Sequence, residues 1–192
     1  MAFGATGVAG SALAAVPTEV LAEWVEEDLK RSPPVTPLQA VDSADRAATR
    51  TRLTVGALWP RAKERVEALV QRLARDPAPG VRIGAAAGLA RMLELAPPLE
   101  RIELVCRWTV SEDVYDRLAV ARALALPTPV FVADLVIAQL ARDADHEVRA
   151  ATVGALRTHF HSDPQTFARL AEELAGDAEL AVRLAARDAV PI

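Results

Sequence analysis

The sequence predicts an all-α chain, built as an array of about five copies of one helix–turn–helix unit, and three observations carry the prediction. First, an Arg close to a helix start recurs at positions 46, 82, 117, 149 and 183, in steps of 36, 35, 32 and 34 residues, a period that marks a repeat architecture. Second, apolar residues inside the segments recur at helical spacing: Ala62, Val66, Leu69, Val70 and Leu73 form one stripe, with Arg61, Lys63, Glu64, Arg65 and Glu67 mostly opposite. Third, no stretch sustains the apolar–polar alternation of a half-buried strand.

Prolines and acidic turns punctuate the elements. The chain has 13 prolines, and they fall almost wholly at junctions, where a ring without an N–H starts a helix or stops one. Starts are marked by Pro17-Thr18, by Asp163-Pro164 and by Asp-rich turns; stops are marked by Asp76-Pro77, Ala96-Pro97-Pro98 and Leu126-Pro127-Thr128-Pro129. These signals place helices near 18–31, 43–58, 60–75, 79–95, 98–110, 113–126, 129–142, 146–161, 164–175 and 179–189. A Pro-rich loop, Ser32 to Pro37, makes the first hairpin irregular, and a terminal repeat has one face without a neighbour to bury it.

The copies agree at several positions at once. Counting from Val81, Asp116, Val148 and Val182, the residues eight before are Leu73, Trp108, Leu140 and Leu174. Five before stand Asp76, Ser111, Asp143 and Asp177. Four after come Ala85, Val120, Thr152 and Ala186, and eight after come Leu89, Leu124, Leu156 and Val190. These are the expected core and turn positions of every copy.

Composition narrows the class. Apolar residues make up 52% and charged residues 25%, a globular balance, while only 4% are aromatic, so Ala, Val and Leu must build the core. The formal net charge of −4 gives no bulk attraction to nucleic acid. Of 22 basic residues only Lys30 and Lys63 are lysines, a bias that reads as a GC-rich, bacterial coding sequence. Cys106 is the single cysteine, so no internal disulfide or cysteine metal site is expected; it reads as a small buried hydrophobe in a reducing cytoplasm. Residues 1–16 are apolar and Gly-rich without a basic leader, and no run reaches the length of a membrane span.

The repeated pattern Leu-x-x-Asp-x-x-x-x-Val-Arg-x-x-Ala is spelled by Leu73, Asp76, Val81, Arg82 and Ala85. It returns as Leu140, Asp143, Val148, Arg149 and Thr152, and as Leu174, Asp177, Val182, Arg183 and Ala186. Trp108, Ser111, Asp116 and Arg117 depart from it. The units resemble HEAT repeats, of the short bacterial kind related to those in phycobilin lyases. The resemblance covers residues 60–190 well and 18–58 loosely. It implies a right-handed α-solenoid over residues 18–192, with residues 1–17 an N-terminal extension or partial cap. It implies also that turn Asp and helix Arg stack into a ladder between neighbours, and that the Val-Arg helices line a concave face.

Inward positions on that face include Ile83, Ala87, Arg91, Leu118, Arg122, Ala150, Arg157, Leu184 and Asp188, of which Ile83, Arg91, Leu118, Arg122, Arg157 and Leu184 are the candidate partner-binding residues. A second candidate surface is the helix Phe131 to Leu140: Val132, Leu135 and Gln139 occupy an outer stripe that is polar in an earlier copy. Either that face meets a partner or its neighbours wrap around it.

No catalytic constellation, cofactor or metal is expected. His159 and His161 are two apart, a spacing that points two helical side chains in different directions, and cationic histidines suit a helix C-terminus. No serine or cysteine sits in a nucleophile motif, and Gly4, Gly7 and Gly10 lack the strand and Lys of a phosphate loop. Glu23, Glu26, Glu27 and Asp28 read as a solvated acidic face. The favoured function is a non-catalytic protein–protein interaction module, a scaffold, adaptor or sensor that holds a protein or peptide partner in the groove, alone or as one part of a larger assembly. Neither nucleic acid nor membrane is expected as partner. Two alternatives follow from resemblance: an alkylation-repair-like DNA glycosylase, which needs a basic face with aromatics (Trp24, Trp59 and Trp108 are the tryptophans), and a tetrapyrrole lyase subunit.

Overall fold

The structure, a computed structural model, describes residues 37–127 and 133–187, with a few isolated positions before residue 37. Among the described residues it is all-helical, with nine helices packed in consecutive pairs. No helix among them is long and apolar enough to cross a membrane. The chain divides into two compact units, Met1–Leu95 and Ala96–Ile192.

The first unit holds α1 (Pro37–Leu58), α2 (Lys63–Ala74) and α3 (Pro79–Leu95). Helix α1 begins at Pro37, earlier than the sequence signals suggest, because the proline that closes the Pro-rich loop also supplies a preset φ for a helical first turn. The expected helix at 18–31 falls mostly outside the described residues, of which Val20, Glu23 and Glu27 are helical. Helix α2 buries Val66, Leu69, Val70 and Leu73, the stripe its spacing predicts. Helix α3 is buried nearly all round, from Val81 through Leu93. It packs against both α1 and α2.

Small residues set the α1–α3 approach. A Cβ built on Gly88 would lie 2.8 Å from Thr51 Cγ2 and 3.2 Å from Val70 Cγ2, and one on Gly84 would lie 3.2 Å from the Ala47 carbonyl oxygen. Any larger side chain at these positions would push α1 away. The Thr51 hydroxyl, buried in the seam, donates to the Ala47 carbonyl at 2.9 Å, so the close contact leaves no hydroxyl unpaired.

The second unit holds α4 (Pro98–Thr109), α5 (Val114–Leu124), α6 (Ala133–Leu140), α7 (His146–His159), α8 (Pro164–Ala175) and α9 (Leu180–Arg187). The pairs α4·α5, α6·α7 and α8·α9 are hairpins, while α5, α7 and α9 pack one against the next and α4 touches α6. The repeat positions are where the core lies. Leu73, Trp108, Leu140 and Leu174 are buried, as are Ala85, Val120, Thr152 and Ala186, and Leu89, Leu124 and Leu156; Val190 lies outside the described residues. Asp116, in the Val position of its copy, is also buried and accepts a hydrogen bond from the Ser111 hydroxyl at 2.9 Å.

One expectation is corrected here. Cys106 is exposed: the buried stripe of α4 runs through Arg101, Leu104, Val105 and Trp108, and position 106 falls beside it. The repeated turn Asp and the helix cap are different residues. Asp143 accepts from the Asp145 N–H, and Asp145 in turn caps α7 through the Glu147 and Val148 N–H groups.

Candidate functional site

The most regular polar arrangement is the one built on the repeated Arg. In α5, Arg117 Nε and Nη2 donate to the two carboxylate oxygens of Asp143 at 2.7 and 3.1 Å. In α7, Arg149 makes the same fork with Asp177 at 2.7 and 2.9 Å. The third nitrogen, Nη1, donates to backbone carbonyls of its own turn: Ser111 and Glu112 for Arg117, Asp143 and Ala144 for Arg149. Each Arg therefore closes its own turn and grips the turn of the next hairpin. Within the second unit the ladder implied by the resemblance is present.

These forks are mostly shielded from water, with side-chain exposures of 17% and 8% for the first pair and 16% and 11% for the second. Hydrogen bonding to Asp143 and Asp177 raises both guanidinium pKa values above the ordinary arginine value. The bond from Arg149 likewise holds Asp177 below the usual carboxylate range.

Two equivalent arginines have only half of this arrangement. Arg82 donates through Nη1 to the Asp76 and Pro77 carbonyls, both at 2.9 Å, but among the described residues its buried Nε has no hydrogen-bond partner. Arg183 donates through Nη1 to the Asp177 and Ala178 carbonyls at 2.6 and 2.7 Å. Among the described residues its Nε and Nη2 meet no carboxylate.

The candidate groove residues scatter in their exposure. In the first unit Ile83 is 41% exposed. Arg91 donates to Glu94 at 2.8 Å, and Arg52 donates to the other Glu94 oxygen at 2.7 Å. Burial alone would raise the Glu94 carboxyl, but hydrogen bonds from Arg91 and then Arg52 bring it below its ordinary value. Arg91 is thus one arm of a three-residue ion cluster. In the second unit Arg157 is exposed and Arg122 half-buried, while Leu184 is 49% exposed. Leu118 is only 2% exposed; α5 is covered on most of its circumference, so this side chain belongs to the core and offers a partner nothing.

On α6 the buried residues are Ala133, Val136, Ile137 and Leu140. Leu135 stands on the other side at 75% exposure, with Gln139 exposed beside it. Of the two readings of this helix, wrapping by its neighbours fails at Leu135. Val132 lies outside the described residues.

The histidine pair has a structural explanation on one side. His159 Nε2 lies 3.1 Å from the Leu124 carbonyl, and the Thr158 hydroxyl donates to the Ala125 carbonyl at 2.8 Å. The end of α7 thus caps the last carbonyls of α5. Because a carbonyl can only accept, Nε2 carries the proton. Burial lowers the His159 pKa, outweighing the Leu124 carbonyl and the charge of Asp134. No local signal in the sequence announces this cap, because donor and acceptor are 33 to 35 residues apart. The same holds for the exposed Arg142–Glu173 pair at 2.8 Å, which links the end of α6 to α8.

Among the described residues no group of three His, Cys, Asp or Glu side chains could hold a metal ion. Trp59 and Trp108 are buried core residues, so neither presents a stacking surface for a base; Trp24 lies outside the described residues. No family model matches the chain, and neither curated proteins nor solved structures include a significant match.

Proposed function

We propose that this chain is a HEAT-like right-handed α-solenoid acting as a non-catalytic protein–protein interaction module, a cytoplasmic scaffold, adaptor or sensor. The observation that carries the reading is the exposure along the second helices: Ile83 and Arg91 on α3, Arg157 on α7 and Leu184 on α9 lie at least partly at the surface. Small apolar floors with partly exposed guanidinium groups suit an acidic peptide or helix, in which carboxylates pair with Arg and an apolar stripe meets the floor. The proposed partner-binding residues are Ile83 and Arg91 in the first unit and Arg122, Arg157 and Leu184 in the second, without Leu118. The exposed Leu135 favours a second, outer interface on α6, with Gln139 and Val132 beside it.

The test is affinity capture from a native lysate with the intact chain and with the triple variant Arg91→Glu, Arg122→Glu, Arg157→Glu. A specific protein partner held by the parent and lost by a variant of unchanged helicity supports the groove. Retention by the variant overturns it, and loss on Leu135→Glu instead assigns the partner to α6. A gel mobility shift at low salt separates the glycosylase alternative, for which a shift is required and none is expected. A bilin retained on the purified chain after co-expression would favour the tetrapyrrole alternative.

A further inference from the structure

The outer side of α4 departs from its counterparts in the other copies. Counting from the buried anchors Leu73, Trp108 and Leu174, the residue nine before is Leu99 in α4 but Glu64 in α2 and Gln165 in α8. The residue two after the anchor is Val110 in this copy, but Arg75, Arg142 and Gly176 in the others. Leu99 and Val110 are 70% and 66% exposed. Leu99, Glu103, Cys106 and Val110 fall at i, i+4, i+7 and i+11, one helical stripe opposite the buried Arg101, Leu104, Val105 and Trp108. Glu103 and Cys106 are exposed, as is Arg107 at the border of the stripe. No end of the chain produces this face. The structure describes residues 37–127 without interruption, and both α5 and α6 pack against α4.

The stripe is complementary to itself. Turned end over end about a two-fold axis, it lays Leu99 on Val110 of a second copy and Glu103 on Arg107 of that copy, and an isologous contact makes each pairing twice. The midpoint of Leu99 and Val110 lies between Leu104 and Val105, and that of Glu103 and Arg107 lies at Val105. One axis therefore satisfies the apolar and the charged pairing together. A solvated face has no need of that agreement, and it is what selects a second copy as the occupant.

We propose that two copies of this chain associate by packing their α4 stripes antiparallel about a two-fold axis. Leu99 and Val110 cover one another at both ends of the contact, and each Glu103 meets an Arg107 across it. Cys106 is the exposed residue nearest the axis, so the two thiols come close together. A contact built on one helix from each copy is small, which sets the dissociation constant at about 10 µM to 0.3 mM. The contact needs neither the groove proposed above nor Leu135 on α6.

Sedimentation equilibrium of the full chain, carried to about 1 mM, should show a monomer–dimer equilibrium; a chain still monomeric there overturns the proposal. Leu99→Glu and Val110→Glu, at positions exposed enough to leave the fold intact, should each weaken the dimer at least about tenfold. Losses under about twofold at both positions place the contact elsewhere and overturn it. Glu103→Arg and Arg107→Glu each set like charges across the axis and should weaken the dimer about fivefold. Mixing those two variants restores opposite charges at both pairings, so a heterodimer about as tight as the parent dimer is expected. A mixture no tighter than its components overturns the antiparallel arrangement. A bismaleimide should link the Cys106 thiols of two parent chains, and Leu99→Glu should lose the linked species; linkage at the parent's yield in that variant also overturns the proposal. The Arg91, Arg122 and Arg157 triple variant should link as the parent does, so failure here and failure of the groove are read separately.

Discussion

In the first unit α1 meets α3 through Thr51, Gly84 and Gly88, whereas in the second α5 grips the turn before α7 through Arg117–Asp143, and α7 grips the turn before α9 through Arg149–Asp177. The two regions carry the same repeat pattern and solve the same problem by different means. Where glycine removes the Cβ, backbones approach closely and dispersion and burial hold the pair, with the Arg52–Glu94 ion pair beside the seam joining the same two helices. Where the facing side chains are larger, a directional ion pair sets the register of one hairpin on the next. The first solution is intolerant of volume; the second is sensitive to charge and hydrogen-bond geometry.

The largest effect that separates them is expected from added volume in the glycine seam. Gly88→Leu has no room, since even a Cβ would stand 2.8 Å from Thr51 and 3.4 Å from Val55. The loss should be about 3 kcal/mol or more, beyond the roughly 1 kcal/mol of helix propensity gained by replacing a glycine. Chemical denaturation of parent and variant checks it. A cost under about 1 kcal/mol would mean that α1 yields easily and that the seam does not hold the first unit.

A smaller effect should follow from uncharging the ladder. Asp177→Asn or Arg149→Gln removes a two-bond charged fork that is mostly shielded, at a cost of about 2 kcal/mol. Arg82→Gln, whose parent side chain donates to two carbonyls of its own turn and meets no carboxylate among the described residues, should cost about 1 kcal/mol or less. Urea midpoints of the three variants rank them. Equal losses at Arg149 and Arg82 would show that turn closure, and not the fork to the next hairpin, is what the ladder contributes.

Much of this frame was legible in the residues because repetition multiplies weak signals. A single Leu or Val says little, but Leu73, Leu140 and Leu174 at one register, with Trp108 standing in, announce a buried anchor, and all four are buried. The ladder was expected only through the resemblance to HEAT repeats, which the recurring Asp and Arg carry. Exposure was harder to read. Leu118 and Leu184 share a register position and an identical side chain, yet one is core and the other surface; Leu118 sits on a helix that packs against α7 as well as α4, and the residues around it do not encode that packing. Cys106 misled because most lone mid-helix cysteines are buried, and only its placement beside the α4 stripe decides the matter. The cap made by Thr158 and His159 depends on where α5 ends in space, and no spacing within α7 reveals that.

The smallest expected effect concerns that cap and gives the second unit a pH dependence the glycine seam lacks. Burial holds the folded-state His159 pKa below that of the unfolded chain, whose histidine titrates near about 6.5. Between the two values the unfolded chain binds the proton and the folded chain does not, so stability falls as the pH drops through the unfolded value and is unaffected above it. His159→Gln can still donate an N–H towards the Leu124 carbonyl and has nothing to titrate. The thermal midpoint of the parent should therefore fall relative to the variant as the pH is lowered from about 7 to 5, with the two curves parallel above pH 7. Parallel curves throughout would show that the imidazole is as free to protonate in the fold as outside it. The last turn of α7 would then be a weaker cap on α5 than its hydrogen bonds indicate.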